Sequence, residues 1–565
     1  MASPPSQPPP SLLSKSLASA SSLVLLQLFS RLFTFALNQA LVRLVSPQAF
    51  GTAAIQFELL LSTILFLSRE GVRNALLRAN TSSTTESKPQ DTSGASGKKK
   101  KVTNSNTPTQ DANAHNTLIA NISLLPVLLG IPTTIITTLL YIRSSSAQTS
   151  SQPHFHLSVG LYALAAFLEL LSEPSYIRAQ NELRFDVRVK AEGKAVVAKT
   201  GTTFLALVGT RGGEEWALVA FALGQVVYGA VLLEEFVRVY YGKGLRWWIR
   251  KVKIGVHGND KTQYFDTTLL HLSAAMTGQS VIKHFLTEGD KFLVSRLSPL
   301  ADQGGYAIAS NYGSLVARIL FQPIEETSRV FFSKTLASGA SIPQESLQTA
   351  SSILSTILLL FTHLFLLLLT CAPPYLPLAV SILLPWRYHS TSAPSILQTY
   401  VYYIPMMAFN GVLEAFFAST ATPSDLRVQS HWMLLFSLGF VGGAVVFSQY
   451  LGLGDAGLVW ANIVNLFARA VYAWVFVRKY FKSKGAGDMV RWTKAVPPLS
   501  VIGCFAVAGA VTRWSWYAQA GVPLTIRAQV GHLGVGVACV LGCLGACFIL
   551  ERRTFQQVFA VLRRR

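Results

Sequence analysis

A chain of 565 residues that is 50% hydrophobic and 13% charged cannot build a water-facing surface of ordinary size, because soluble domains carry about 25% charged residues. The net charge of +21 raises the question of nucleic acid. No basic stripe interleaved with aromatic residues is present, as a single-strand groove requires, so nucleic acid is excluded as a partner and an all-α membrane protein remains.

Stretches of about 20 mostly apolar residues, each enough for one crossing, recur along the chain. They fall at 17–42, 50–77, 117–142, 157–176, 195–210, 216–240, 263–286, 305–324, 348–372, 396–420, 430–451, 456–477, 495–513 and 529–550. The fold class is therefore a bundle of about 14 transmembrane helices. The apolar piece 376–385 is too short to cross and is bracketed by Pro373, Pro374 and Pro385, so it reads as re-entrant or interfacial. The Pro/Ser-rich residues 1–16 are expected to be disordered. The apolar run that follows is too long for a signal-peptide core, so the first span is expected to stay in the membrane.

Charge sets the topology. With the N-terminus in the cytosol, the loops 78–116, 177–194, 241–262, 325–347, 421–429 and 478–494 and the two termini hold about 32 of the 48 Lys and Arg, the bias of the positive-inside rule. Both termini, including the basic tail 552–565, are assigned to the cytosol, and runs such as Lys98–Lys101 read as topology signals and contacts with anionic membrane lipids. Residues 81–115 are Ser, Thr, Asn, Lys and Gly with little to bury, and are expected to form a disordered cytosolic loop. The sequons at Asn80 and Asn121 fall in that loop and inside a span, so neither is expected to be used.

The chemistry-bearing residues are few. Cys539, Cys543 and Cys547 recur every four residues near His532, but Gly534, Ala538, Gly542 and Ala546 share that period, which suits close helix packing better than a closed set of metal ligands. No metal or cofactor is expected. With no strands expected, no glycine-rich phosphate loop can form between strand and helix. Polar groups within spans are costly, and mark cavities or pairs. Gln27, Arg31, Thr34 and Asn38 share one face of the first span. The seventh brings Thr268, His271, Gln279 and Lys283 to one side and then meets Glu288 and Asp290. The second ends in Arg69, Glu70, Arg73 and Arg78, and the eighth carries Arg318, Gln322, Glu325, Glu326 and Arg329. This recurrence suggests a parallel repeat, with the binding site between its copies as in many transporters. Ordinary anchoring at the cytosolic face explains Arg69, Arg73 and Arg78 equally well. On the cavity reading, Arg31, Asn38, Arg69, Arg73, Lys283, Arg318 and Gln322 line a cationic site for an anionic head group. Glu70, Glu288, Asp290, Glu325 and Glu326 are then structural or gating charges.

Several blocks extend the reading. The run LQLFSRLFTFALNQALVRLVSPQAFGTAAIQFELLLSTILFLSREGVR, then LSEPSYIRAQ, VRVKAEG, LTEGDKFLVS, YGSLVARILFQPIEETSRVFFSK, YIPMMAFNGVLEAFF and GLVWANIVNLFAR together resemble the Rft family of endoplasmic-reticulum glycolipid translocation proteins. The insert at 80–115 and the N-terminus fall outside the resemblance. It implies two six-helix bundles around a central cavity, here 17–240 and 263–477, with two additional helices at 495–551. It also implies a non-enzymatic role in the endoplasmic-reticulum membrane: moving a dolichol-pyrophosphate heptasaccharide from the cytosolic to the luminal leaflet for N-glycosylation. The implied partners are the dolichol-linked oligosaccharide, membrane lipids and the glycosyltransferases of that pathway. Two alternatives stand beside it. One is a non-transporting accessory protein that presents the lipid to luminal glycosyltransferases. The other is an ion-coupled drug exporter of the same fold, disfavoured by the cationic interior.

Overall fold

The computed structural model describes residues 35–76, 117–182, 184–210, 213–242, 247–256, 259–336, 342–518 and 526–552. Arg31, Arg78, the insert 81–115 and the tail from 553 lie outside the described residues. Of the first expected span, residues 35–42 are described and are helical, and the helix continues to 44.

The elements follow the hydropathy pattern. They begin with α1 (Pro47–Leu76), α2 (Thr117–Ser144) and α3 (Phe155–Asn181), followed by α4 (Phe185–Gly209) and α5 (Glu214–Tyr240). A hairpin of β1 (Val252–Val256) and β2 (Asn259–Gln263) precedes α6 (Thr267–Thr287) and α7 (Gly289–Leu297). Then come α8 (300–335), α9 (Gln344–Leu383), α10 (Ala393–Thr420), α11 (Ser424–Tyr450) and α12 (Asp455–Ser483). The last two are α13 (Leu499–Tyr517) and α14 (Ile526–Leu550). Ten helices among the described residues are long and apolar enough to cross a membrane. The expected spans 195–210, 263–286 and 305–324 overlap α4, α6 and α8, but are not among those ten. The count of fourteen is therefore not reached by this measure.

Local chemistry explains where helices begin and end. Asp266 caps α6 by accepting the Thr268 and Leu269 N–H groups at 2.8 and 3.2 Å, satisfying two of the donors a helix start leaves free. Thr422 and Asp425 form a reciprocal capping box at the start of α11, the arrangement that satisfies two donors at once. At the far end of α12, Gly485 takes φ +73° and Ala486 N–H returns to the Phe481 carbonyl at 2.9 Å, a glycine-dependent stop. The hairpin corrects the expectation of no strands. It sits in the connection 241–262, where Val252, Ile254 and Val256 alternate with Lys253 and Gly255, the period of a strand. Asn121 holds its base: Nδ2 donates to the Arg250 and Tyr264 carbonyls at 2.7 and 2.6 Å, and Oδ1 accepts the Arg250 N–H at 3.1 Å.

The chain divides into two compact units. Ala36–Gln303 form one; Gly304 onward, with Phe35, forms the other. Helix α6, grouped by sequence with the second bundle, thus packs in the first unit, where Leu269 joins a core with Val72, Leu76, Ile177 and Phe236.

In the second unit, α9 runs unbroken through Pro373, Pro374 and Pro377 to Leu383. The re-entrant reading of 376–385 is thereby overturned. Pro373 and Pro374 have no N–H and deprive the carbonyls four residues back of their partners; those carbonyls belong to Leu369 and Thr370. Helix α13 faces them: Arg513 Nη2 donates to Leu369 O at 3.1 Å, and the single Thr512 hydroxyl proton is shared among Ala508 O at 2.9 Å, Gly509 O at 3.1 Å and Thr370 O at 3.2 Å. Neighbouring side chains that fill freed backbone groups are what make proline tolerable in a membrane helix. Helix α14 braces the next turn. Tyr375 stacks on His532 at 4.1 Å between ring centroids, and its hydroxyl donates to the His532 carbonyl at 2.8 Å. The ring fits only because Gly536 faces it: a Cβ there would come within 2.6 Å of Tyr375.

Candidate functional site

The first unit carries a buried charge cluster and a chamber, both built on α1. That helix contains two π-helical turns, Thr52–Phe57 and Phe66–Glu70, a form that recurs at functional positions. The second turn rotates Arg69 and Arg73 toward α3. There Glu173, whose side chain is 1% exposed, accepts Arg69 Nη1 at 3.1 Å and Arg73 Nε and Nη2 at 3.3 and 2.5 Å. Arg69 also lies 3.7 Å from Glu169, which accepts Gln225 Nε2 of α5 at 2.9 Å. The Arg73 guanidinium covers the Tyr176 ring at 3.8 Å from its centroid, a contact Arg favours through its planar charge. Two guanidinium and two carboxylate groups thus knit α1, α3 and α5, with formal charges that cancel.

The chamber runs along α1 from Gln56 to Leu67. It encloses about 550 Å³ among α1, α2, α6, α7 and the α2–α3 turn. Gln56, in the first π-turn, sits in its wall. Its Nε2 donates to Gln303 Oε1 at 2.8 Å and Thr149 Oγ1 at 3.3 Å, while Tyr141 donates its hydroxyl to Gln56 Oε1 at 3.0 Å. Thr63 meets His284 Nε2 at 2.9 Å. On the rim, Arg296 Nη1 donates to the Ser144 carbonyl at 3.2 Å. Glu288 pairs with Lys291 at 2.8 Å. Burial works against the Lys291 ammonium, but the hydrogen bond and charge of Glu288 outweigh it and raise its pKa above the ordinary lysine value.

The remaining sequence candidates are scattered. Asn38 lies on the half-buried helical stretch 35–44. Lys283 is on α6, with its side chain outside the described residues. Glu70 accepts the Asn74 amide at 3.2 Å, and Asp290 opens α7. In the second unit, Arg318 is exposed and donates to Asn311 Oδ1 and Ser314 Oγ at 3.2 and 3.0 Å. Gln322 donates to Glu326 at 3.0 Å, and Glu325 pairs with Arg329 at 3.0 Å. Glu325 also faces Gly411 of α10, where a Cβ would stand 3.1 Å from Oε2. Glu414 of α10 in turn holds Arg469 of α12 through contacts at 3.0 and 2.5 Å. In each unit the charged end of one helix, α1 or α8, meets a helix bearing buried or half-buried glutamate, α3 or α10.

Glu169, Glu173, Gln56, Tyr141, Glu414 and Arg469 were not singled out by the sequence reading. The signal was present: Glu169 and Glu173 interrupt an apolar span, and an intramembrane acid requires a cation.

The class these features define is a polytopic helical membrane protein. The solved structure of the lipid II flippase MurJ, in an inward closed conformation, matches with a TM-score of 0.57 at 13% identity, covering 94% of this chain and 100% of that one. The chain belongs to the Rft protein family, whose model matches residues 15–561. It is 35% identical to the Man(5)GlcNAc(2)-PP-dolichol translocation protein of Yarrowia lipolytica, over 87% of this chain and 74% of the relative. It is 34% identical to the protein of the same name from Schizosaccharomyces pombe, over 84% of each.

Proposed function

We propose that this protein carries a dolichol-pyrophosphate-linked oligosaccharide, the Man(5)GlcNAc(2)-PP-dolichol of its relatives' names, from the cytosolic to the luminal leaflet of the endoplasmic-reticulum membrane. The observation that carries this reading is near-full-length membership of a family whose relatives are named for that translocation. The fold of a lipid flippase supports it. Such transport shelters a polar head group in a helical bundle that rocks around it, with no bond made or broken.

A second reading, an accessory protein that holds the lipid for luminal glycosyltransferases, draws on one feature. Arg69 and Arg73 already hold Glu173, and would have to release it to take a phosphate. Reconstitution separates the two readings. Pure protein in vesicles with authentic glycolipid should speed leaflet exchange over protein-free vesicles. Binding without exchange would overturn the transport reading in favour of the accessory one.

A further inference from the structure

We infer that the chamber beside α1 is a carbohydrate subsite, a binding place for the glycan part of the cargo, separate from the arginine cluster. The inference rests on the glycolipid reading above, and names which part of that cargo the first unit takes.

The wall chemistry decides among ligands. Glu288 only accepts hydrogen bonds while ionised, Arg296 only donates, and Gln56, Tyr141 and Thr63 do both; all five line the same chamber. A sugar presents vicinal hydroxyls that each donate and accept, and so matches such a mixed wall. Glu288 is already matched by Lys291, and Arg296 is held by the Ser144 carbonyl and the Phe292 ring, so the wall presents its charges to a phosphate or a cationic drug in engaged form. An isoprenoid tail would strip water from the polar groups without replacing their bonds. The apolar part of the wall also suits a sugar. Phe285 and Phe292, 59% and 42% exposed, add aromatic surface to the wall that can meet a sugar's C–H groups. The volume of about 550 Å³ lies within the range of small-molecule sites, roughly 300–1,000 Å³.

Position points the same way. Gln56 and Arg69 stand thirteen residues apart on α1, roughly 20 Å at helical rise. The chamber runs along α1 from Gln56 to Leu67, and the turn 144–149 and α7 wall it at the end away from Arg69, Glu173 and Arg73. On the charge-based topology this end faces the lumen, so the subsite would hold the glycan on the release side.

The test uses the full chain in lipid nanodiscs and, as probe, the free Man5GlcNAc2 heptasaccharide without pyrophosphate or dolichol. Saturation-transfer NMR should show magnetisation passing to the glycan. Ser144→Trp, which fills the chamber from an exposed rim position, should abolish the transfer. Leu139→Trp, on a surface 61% exposed, should leave it intact. Should Ser144→Trp lower the melting temperature, Arg296→Gln and Phe292→Leu decide instead, each expected to weaken binding at least threefold. Absence of transfer in the wild-type protein, or unchanged transfer in the rim variants, overturns the subsite. The two proposals fail separately. Glycan binding lost in the rim variants, with no glycolipid exchange in vesicles, sinks transport and keeps the subsite. Exchange without glycan binding sinks the subsite alone.

Discussion

Glu173 accepts three contacts from two arginines while almost wholly buried. Removing one partner of such a group leaves charge without compensation, and costs about 3–5 kcal/mol. Arg73→Ala should therefore lower the amount of folded protein, read by fluorescence-detected size exclusion. Replacing Arg69, Arg73, Glu169 and Glu173 together by Met should restore much of it, because a buried ion cluster can be replaced by packed apolar groups with little loss. A different outcome, normal abundance with accumulated heptasaccharide lipid, would assign Arg73 to the cargo. The arginines were legible in the sequence from their one-turn spacing in a hydrophobic helix. Their partners were not, because one sequence says that a buried acid needs a cation but not which helix lies beside it.

At the scale of helices, small residues and prolines decide the packing. Gly71 lets α6 press against α1, and a Cβ there would lie 2.5 Å from Thr277 Cα. Backbone cannot yield as a flexible side chain would, so Gly71→Ala should destabilise by about 1–3 kcal/mol, seen as a lower melting temperature in detergent. Helix α9 offers a second case. Thr512→Val together with Arg513→Met should uncap the Leu369 and Thr370 carbonyls, at about 0.6–2 kcal/mol for each bond. Thr512→Ser, which keeps the hydroxyl, should be close to neutral. Thermal stability of the two variants side by side checks this, and equal melting temperatures would show that the bonds to α13 do not hold the break. Ten of the expected spans were readable from hydropathy, but helix ends were less so: α9 runs to Leu383 where 372 was expected, and α8 to 335 where 324 was expected. The continuity of α9 was not, since prolines announce a break and only the neighbouring helix reveals the repair.

For the whole molecule, the legible quantities were composition, charge bias and family resemblance; the boundary at 303 was not among them. That boundary depends on α6 packing with the first unit, a matter of surface fit that periodicity does not encode. Charge bias predicts that the loop 78–116 faces the cytosol. Protease added outside sealed microsomes should cut near Lys98–Lys101 without detergent, and protection there would reverse the orientation and move the chamber to the cytosolic side. Deleting 81–115 should still permit complementation of a null strain, since the segment has no apolar anchors.

The repair of α9 also imposes an order on synthesis. Thr370 and Thr512 are 142 residues apart, so α9 leaves the ribosome on the order of ten seconds before its caps, at about 5–20 residues per second. During that interval the Leu369 and Thr370 carbonyls stand open in the bilayer, a mark that insertion chaperones and membrane quality control can read. A nascent chain halted before α13 should remain bound to such factors and be degraded quickly. Supplying α13 and α14 as a separate polypeptide should then release it, making the C-terminal pair the step that certifies the second unit as finished.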